Sequence, residues 1–352
     1  MATIRKLRGK YQAIIRRSGF PQQSKTFPTK KLAQEWGRKI ESKMDSGIFA
    51  DLSNAKTTTF AELMDIYLDE VTSNRPTEEA RNVERRVIGR IRRENKTLCA
   101  LTVDKLKPEH FEEYRDKRLR TPSPYRKNAD GSRANIAAST VKRELSILKK
   151  IIDNRKRKLG LIVNPANGED VKRPVVNDER DVRLSYEEKE RLLKACYSMK
   201  NRLVGPFLEM GFETGARRGN LIRLKWEDVD MLNGTALLRG VKNTRNPHKI
   251  INHAIGLTPH ALAVLTALPK DEERVFPMSI NAFKLAFKRA RIKANLTHFR
   301  FHDTRHERVS SLFEAGWSTM QVMAQSGHRD PKSVKRYTNI QATFLAEQLA
   351  KL

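Results

Sequence analysis

The stretch from Thr297 to Ile340 reads THFRFHDTRHERVSSLFEAGWSTMQVMAQSGHRDPKSVKRYTNI. His302 and Arg305 are three residues apart, so on a helix both side chains lie on one face and can contact one anion. His328 follows a glycine, which permits a sharp turn of the backbone, and Tyr337 comes next in a short basic segment. Imidazoles, a guanidinium and a phenol together form a set that can bind a phosphate and attack it.

This arrangement resembles the C-terminal signature of the tyrosine recombinases, also called phage integrases. The family pattern is His-x-x-Arg, then Gly-His, then a tyrosine about nine residues later. The family also has an earlier arginine in a Thr-Gly-x-Arg turn and a lysine on a β-hairpin between the two motifs. All these elements occur here in the family's order, and the matching residues are Arg217, Lys242, His302, Arg305, His328 and Tyr337.

A tyrosine at this position suits a reaction in which a protein side chain, and not water, cuts DNA. A free phenol has a pKa of about 10, so it needs a neighbouring base or cation to lose its proton near neutral pH. Phenoxide is also a tolerable leaving group, which makes a phosphotyrosine bond reversible. The resemblance therefore implies that Tyr337 attacks DNA and forms a 3′-phosphotyrosyl intermediate.

The basic residues of the set address the charge that develops around phosphorus. The guanidinium groups of Arg217 and Arg305 can each grip the non-bridging oxygens with two donors, and such preorganised cations are a large catalytic term. His302 and His328 can either donate to those oxygens or accept the tyrosine proton. Lys242 could deliver a proton to the departing 5′-oxygen from the predicted hairpin, which it shares with three other basic residues, Arg239, Arg245 and Lys249.

A metal site is the main alternative use of the histidines. His302 and His306 have the i, i+4 spacing of a ligand pair, and Asp303 stands where zinc proteases have a glutamate. Arg305 in the same turn would repel a cation, and no carboxylate follows at a usual ligand spacing. We therefore expect no metal, and we expect His306 to be a packing or supporting residue.

Two positions near the first arginine complicate the match. Asn220 stands where the family usually has Glu or Asp, three residues after that arginine. The amide removes a buried anion that could orient catalytic groups, but it does not by itself remove activity. Arg218 has the same chemistry as its neighbour Arg217, and only the family pattern selects Arg217.

The composition indicates an anionic partner. The chain has 352 residues, of which 38% are hydrophobic, and a formal net charge of +29. Such an excess of Lys and Arg favours nucleic acid, because these side chains release condensed counterions from phosphates. Cys99 and Cys196 fit no metal or disulfide pattern, and neither a long apolar run nor a phosphate-binding glycine loop occurs. We expect a cytoplasmic, DNA-associated protein that uses neither metal nor ATP.

Residues 1–55 are predicted to form a small basic domain. Apolar residues alternate with polar ones from Tyr11 to Ile15 and the segment Gln23–Phe27 can pair as a second strand. Thr29 then caps a helix whose predicted apolar stripe is Leu32, Trp36, Ile40 and Met44. A three-stranded sheet backed by one helix resembles the arm-site-binding domain of phage integrases. Its candidate DNA contacts, expected to have no acidic partners, are Arg16, Arg17 and Lys25.

Residues 56–170 are predicted to form a helical domain that resembles the SAM-like core-binding domain of the family. Residues 51–58 are interpreted as a polar linker and 121–137 as a loop rich in Pro, Asn and Gly. Pro108 is suited to the first turn of one helix, and Ser139 opens a longer one. The basic outer face of that longer helix supplies further candidate DNA contacts, namely Lys142, Arg143 and Lys149.

Residues 180–352 are predicted to form the catalytic domain, α-rich with a small antiparallel sheet, after a charged linker at 170–183. A capping box from Ser185 to Glu188 opens its first helix, and strands at 235–238 and 250–255 flank Lys242. The fold class is therefore mainly α and multidomain, with small β elements.

The resemblance implies a site-specific DNA recombinase that binds specific double-stranded sites as a homo-tetramer. DNA-bending accessory proteins are possible further partners, and no membrane partner is expected. The N-terminal domain favours a phage or genomic-island integrase, while the C-terminal segments also resemble shufflon-type recombinases. A type IB topoisomerase shares the same set of active-site residues and would act as a monomer. A metal-dependent nuclease using His302 and His306, and a catalytically silent DNA-binding protein, are the alternatives from other classes.

The tail, residues 340–352, is predicted to be helical. Leu345, Leu349 and Leu352 form an apolar stripe that must be buried somewhere. The stripe could pack on its own catalytic domain or, as the family resemblance implies, on a neighbouring protomer.

Overall fold

The computed structural model describes residues 2–46, 51–128, 130–176, 182–240, 251–335, 337 and 350. The chain forms two compact units, Met1–Asn177 and Asp178–Leu352. Lys242 and the predicted tail helix lie outside the described residues, apart from Ala350 in the tail.

The first unit begins with the predicted three-stranded sheet and helix. The strands β1 (Thr3–Leu7), β2 (Lys10–Arg17) and β3 (Phe20–Phe27) pair antiparallel in that order. The helix α1 (Lys30–Asp45) packs against them, and the hydroxyl of Thr29 caps it by accepting a hydrogen bond from the N–H of Leu32. The predicted three-stranded sheet and capped helix are confirmed.

The buried face of α1 differs from the predicted stripe. Ala33, Gly37 and Met44 are buried, whereas Leu32 is 44% exposed. A side-chain carbon at Gly37 would lie 2.7 Å from Cβ of Ala2, so the helix backbone lies very close to the chain beside it. Of the predicted stripe, Met44 is buried, Trp36 and Ile40 are half-buried, and only Leu32 is left in solvent, because the small residues Ala33 and Gly37 allow close contact in its place.

Helices make up most of the remainder of the first unit. They are α2 (Ser53–Thr57), α3 (Phe60–Tyr67) with a π-type turn at Leu68–Thr72, α4 (Glu78–Glu94), α5 (Lys96–Ala100), a 3₁₀ turn at Val103–Lys105, α6 (Pro108–Arg120) and α7 (Ala138–Arg155). Phe60 and Phe111 pack edge to face in their core, with ring centroids 5.9 Å apart. Buried Glu144 on α7 accepts a 2.7 Å hydrogen bond from the hydroxyl of Tyr114 on α6.

Two stretches of this unit differ from the sequence interpretation. The proposed linker at 51–58 contains α2, whose Ala55 is buried in the helical core. One alanine among polar residues is too weak an apolar pattern to predict this helix. The proposed loop at 121–137 contains an antiparallel pair, β4 (Pro122–Lys127) and β5 (Arg133–Asn135). Its turn is stabilised by the carboxylate of Asp130, which accepts hydrogen bonds from the backbone and hydroxyl of Ser132.

The second unit combines helices with one small sheet. Its elements are α8 (Tyr186–Tyr197), α9 (Val204–Thr214), α10 (Arg218–Arg223), a 3₁₀ turn at Trp226–Asp228, β6 (Val229–Asp230), β7 (Thr235–Leu238), β8 (His253–Gly256), α11 (Pro259–Thr266), α12 (Ile280–Lys293), α13 (Asp303–Glu314), α14 (Thr319–Ser326) and α15 (Pro331–Lys335). The sheet order is β6-β7-β8, antiparallel throughout. The capping box predicted at Ser185 is confirmed.

An aromatic cluster forms the centre of this unit. Phe207 on α9 lies 4.4 Å from Phe283 on α12 and 5.2 Å from Phe301, measured between ring centroids. Phe301 immediately precedes His302, so this core fixes the point at which α13 begins. Within the described part of the chain, no helix is long and apolar enough to cross a bilayer.

Candidate active site

The first arginine of the set stands at a helix-to-helix turn. Gly215 ends α9 with a φ of 62°, a left-handed conformation that glycine adopts without strain. The hydroxyl of Thr214 accepts a 3.1 Å hydrogen bond from the N–H of Ala216 and so closes the turn. Arg217 follows as the N-cap residue, directly before α10, and is half-buried.

Arg305 on α13 is the most firmly held member of the set. It is 3% exposed. Its Nη1 donates to the carbonyl of Gly215 at 2.9 Å, and its Nη2 donates to the carbonyl of Ser326 at 2.7 Å. One guanidinium therefore joins the turn that presents Arg217 to the end of α14.

His328 is placed by the C-terminal end of α14. Gly327 ends this helix with a φ of 71°, so the chain turns and His328 lies against Arg305. The Nη2 atom of Arg305 is 3.1 Å from Nε2 and 3.3 Å from Nδ1 of the His328 ring. The hydroxyl of Ser326 is 2.7 Å from Nδ1 of the same ring.

Tyr337 lies beside the histidines and is 7% exposed. Its ring centroid is 5.1 Å from that of His306 and 5.8 Å from that of His328. The tyrosine also belongs to a small apolar cluster with Val309 and Val334. The packing of His306 against Tyr337 agrees with the supporting role expected for that histidine.

Burial and mutual repulsion shift the pKa values of these groups. Burial, with the nearby charge of Arg305 and then Arg217, lowers the pKa of His328 to about 3. Burial, with repulsion from His306 and Arg305, lowers the pKa of His302 to about 4. The His302 side chain is nevertheless exposed on one side, and because solvent there weakens the effect, His328 is the more strongly perturbed of the two histidines.

The two arginines and the tyrosine influence one another as well. Burial and then the charge of Arg217 lower the pKa of Arg305 to about 10, while Tyr337 acts in the opposite direction. Burial also lowers the pKa of Arg217, and Tyr337 again opposes that shift. The structure thus brings together Arg217, His302, Arg305, His328 and Tyr337, which are all the predicted catalytic residues except Lys242, a residue outside the described ranges.

The residues considered for a metal site have other contacts. The rings of His302 and His306 pack edge to face, with centroids 5.2 Å apart. The carboxylate of Asp303 accepts a 2.7 Å hydrogen bond from the N–H of Arg300 and so stabilises the entrance to α13. Among the described residues, no three or more His, Cys, Asp or Glu side chains cluster as metal ligands do.

Asn220, the departure from the family pattern, is buried on α10. Its side-chain oxygen accepts a 3.3 Å hydrogen bond from Nη2 of Arg223. The amide therefore has a partner on its own helix.

The predicted DNA contacts of the first unit differ in how available they are. Arg16, Lys25, Lys142 and Arg143 are exposed. Arg17 forms an ion pair with Asp45, so the expectation that it has no acidic partner is wrong; Asp45 is distant in sequence and is brought near by the packing of α1. Lys149 is paired with Asp153 one turn further along α7, at 2.5 Å.

Three residues that sequence reasoning missed support the site. The side-chain amide of Gln325 on α14 pairs with the backbone of Gly256 on β8, accepting at 2.9 Å and donating at 2.8 Å. His253, also on β8, lies 3.3 Å from the carbonyl of Gln325 through Nε2. Ser326 is the third of these residues, because its hydroxyl contacts the ring of His328. Only the proximity of Gln325 and Ser326 to the Gly-His motif could have indicated them.

Comparison with known proteins agrees with this geometry. Residues 182–343 match the sequence model of the phage integrase family. This part of the chain belongs to that family. The matched range contains every predicted catalytic residue.

Curated relatives include recombinases and integrases. The chain is 30% identical to a shufflon-specific DNA recombinase of Escherichia coli over 72% of its own length and 62% of the relative's length. It is 27% identical to a putative integrase/recombinase of Haemophilus influenzae over 100% of its own length and 89% of the relative's. The chain thus spans somewhat less than two thirds of the first of these relatives.

Solved structures share the fold at low sequence identity. A Tn1549 transposon integrase in complex with a circular intermediate DNA matches with a TM-score of 0.64 at 14% identity, over 84% of this chain and 100% of that one. A lambda integrase dimer bound to a core site matches with a TM-score of 0.61 at 18% identity, over 97% of this chain and 95% of that one. The predicted fold class, that of the tyrosine recombinases, is confirmed.

Proposed function

We propose that this protein is a site-specific DNA recombinase that cleaves and rejoins double-stranded DNA through a 3′-phosphotyrosyl intermediate. The observation that carries the proposal is the buried Arg305, which joins the Arg217 turn to the His328 turn, with Tyr337 packed beside the histidines. A site that brings two arginines and two histidines together is suited to a phosphodiester. The match of residues 182–343 to the phage integrase family supports the recombinase part of this proposal.

The reaction assigned to the site is a transesterification. The oxygen of Tyr337 attacks phosphorus, and the bond from phosphorus to the 5′-oxygen breaks. Arg217 and Arg305 hold the non-bridging oxygens, where preorganised cations stabilise the developing charge. His302 and His328 exchange protons or hydrogen bonds with the reacting oxygens, and Lys242 is assigned to protonate the 5′-oxygen. The scheme requires neither metal nor ATP.

A basic cavity beside the site fits the DNA backbone. Its volume is about 610 Å³, and Arg217 and His302 form part of its wall. The other basic side chains that line it are Arg218, Lys284, Lys288, Arg291 and Arg300. Cations flanking a reactive phosphate would bind the neighbouring phosphates of the same strand, so we assign this cavity to the DNA segment next to the cleavage point.

We assign sequence-specific anchoring to the first unit and exchange of strands to an assembly. Exposed Arg16, Lys25, Lys142 and Arg143 are the candidates for phosphate contacts there. A lambda integrase tetramer bound to a Holliday junction is among the structures with the same fold, and we propose a homo-tetramer on two DNA sites for this protein as well.

The proposal is tested with a duplex from the DNA flanking the gene, nicked so that a cleaved complex cannot religate. We expect a protein–DNA band that survives denaturation and forms equally well in EDTA. A product without attached protein that disappears in EDTA would instead indicate a metal-dependent nuclease. Relaxation of any supercoiled plasmid, without exchange between two sites, would indicate a topoisomerase.

A further inference from the structure

The hydroxyl of Ser326 lies between a carbonyl of α14 and the ring of His328. Ser326 is the last residue of α14 and is 6% exposed. Its hydroxyl donates a hydrogen bond to the carbonyl of Val322 at 2.6 Å and lies 2.7 Å from Nδ1 of His328. Because water is nearly excluded here, these two groups are the ones that must satisfy the hydroxyl.

Counting protons assigns the tautomer of the imidazole. A hydroxyl has one proton to donate, and a carbonyl has none, so the proton of Ser326 must point at Val322. The hydroxyl can then only accept at its contact with His328, which means that Nδ1 carries the proton. A neutral imidazole has a single N–H, and Nε2 is therefore left with its lone pair.

Arg305 does not make this choice, because its Nη2 is 3.1 Å from Nε2 and 3.3 Å from Nδ1. A cation at nearly equal distance from both nitrogens opposes a second proton on the ring but selects neither nitrogen. It helps to lower the pKa of His328 to about 3, so the ring is neutral at pH 7 and has a tautomer to be selected.

The geometry points to Ser326 as a positioning residue that fixes the Nδ1–H tautomer of His328 and so makes Nε2 a proton acceptor. Its consequence for catalysis rests on the proposed function. When DNA binds, the negative charge of the phosphate offsets the charge of Arg305 and raises the pKa of His328, and the phenol proton of Tyr337 then passes to Nε2 as the tyrosine oxygen bonds to phosphorus. The bond to the 5′-oxygen breaks, and that oxygen takes its proton from Lys242. His302 is then the histidine that donates to a non-bridging oxygen.

The direct test is ¹⁵N NMR of the imidazole nitrogens in the full-length protein at pH 7 without DNA, because protonated and unprotonated ring nitrogens differ in chemical shift. The His328 signal is assigned by its loss in His328→Gln. We expect a protonated Nδ1 and an unprotonated Nε2. The opposite pattern in the wild-type protein overturns the inference, whatever reaction the protein performs.

Substitution then tests the role of the hydroxyl. Ser326→Ala should lose the preference for Nδ1–H and slow formation of the covalent DNA adduct by roughly 10- to 100-fold, since loss of an acid–base group typically costs 100-fold or more. The affinity for DNA should stay unchanged, and Ser326→Thr, which keeps the hydroxyl, should restore the rate. Ser311→Ala is the matched control, because its hydroxyl also donates to a helix carbonyl, that of Arg308 at 2.8 Å, on α13.

The outcomes separate the two proposals. A Ser326→Ala protein that keeps Nδ1–H overturns the positioning role, as does a rate loss no larger than that of Ser311→Ala. If the wild-type protein forms no adduct at all, the proposed function is wrong. The NMR measurement on the free protein still decides whether Ser326 fixes the tautomer of His328.

Discussion

Arg305 both connects two turns of the chain and places a positive charge beside His328. Its two terminal nitrogens bind carbonyls that belong to different turns, and its charge lies against His328. A lysine keeps the charge but has no planar fork, so it cannot reach both carbonyls with the same geometry. The residue is therefore the point at which a conservative change should be most costly.

Arg305→Lys should slow adduct formation, because the transition state should lose about 2–4 kcal/mol of stabilisation, as it does when one oxyanion donor is removed. DNA affinity should fall far less, because most of it comes from other cations. Single-turnover cleavage and equilibrium binding measure the two effects. Arg289→Lys on the exposed face of α12 is the control. Equal losses in binding and cleavage would make Arg305 an anchor for DNA and not a catalytic group.

The neutral histidines predict how stability changes with pH. The pKa of His328 is about 3 in the folded protein and about 6.5 when the chain is unfolded. Between these values only the unfolded chain takes up the proton, so stability falls as the pH is lowered from about 6.5, and the contribution is fully present above that pH.

The melting temperature of the wild-type protein should therefore drop between pH 7 and pH 5. His328→Gln should drop less, because the group that titrates has been removed. Ser311→Ala, which removes no titrating group and only a hydroxyl bonded to a carbonyl of α13, should follow the wild-type curve. Parallel curves for the wild-type protein and His328→Gln would show that His328 does not resist protonation in the folded state.

The connection between β8 and α14 decides where His328 points. Gln325 pairs with the backbone of Gly256 as a neighbouring strand would. The ring of His253 lies against Gly327, and a Cβ atom at position 327 would be only 3.0 Å from that ring. Because β8 is an edge strand, this amide occupies backbone groups that would otherwise be open to solvent. The hairpin on which Lys242 is predicted to lie is thereby connected to the His328 turn.

Gln325→Leu should remove both of these hydrogen bonds and cost about 1 kcal/mol for each bond. The amide of Gly256 should then exchange with deuterium much faster, while that of Ile222 in α10 keeps its protection. Hydrogen exchange followed by NMR reports both positions. An unchanged rate at Gly256 would mean that Gln325 does not hold the strand.

Motifs and local patterns predicted much of this architecture. The proximity of the candidate site residues could be predicted because their spacing is fixed by one helix and two glycine turns. The capped helices after Thr29 and Ser185 could be predicted because caps are local signals. Gln325 and His253 could not be predicted, since their contacts join residues 69 and 72 positions apart. The pairing of Arg17 with Asp45 depends in the same way on packing.

The chain taken together is a basic protein with two compact units, and the proposed function gives them different tasks. If the N-terminal sheet binds separate arm sites, its exposed cations should contribute to those sites alone. Loss of charge by itself weakens all DNA binding, because fewer counterions are released. A test must therefore compare variants that lose the same charge in different places.

Arg16→Ala/Lys25→Ala should abolish protection of arm sites in footprints and leave cleavage at an isolated core site unchanged. Lys194→Ala/Lys200→Ala removes the same charge from exposed positions of the second unit and should preserve arm-site protection. If both double variants protect the arm sites to the same extent, the N-terminal sheet has no special role in binding them.

The most direct measurement is to locate the covalent bond between protein and DNA. The trapped complex is digested with protease and nuclease, and the peptide that carries a nucleotide is sequenced by mass spectrometry. We expect the phosphate on Tyr337, no adduct in Tyr337→Phe, and a normal adduct in Tyr186→Phe, whose tyrosine is 75% exposed in the same unit. An adduct on any other residue, or one that persists in Tyr337→Phe, would contradict the account.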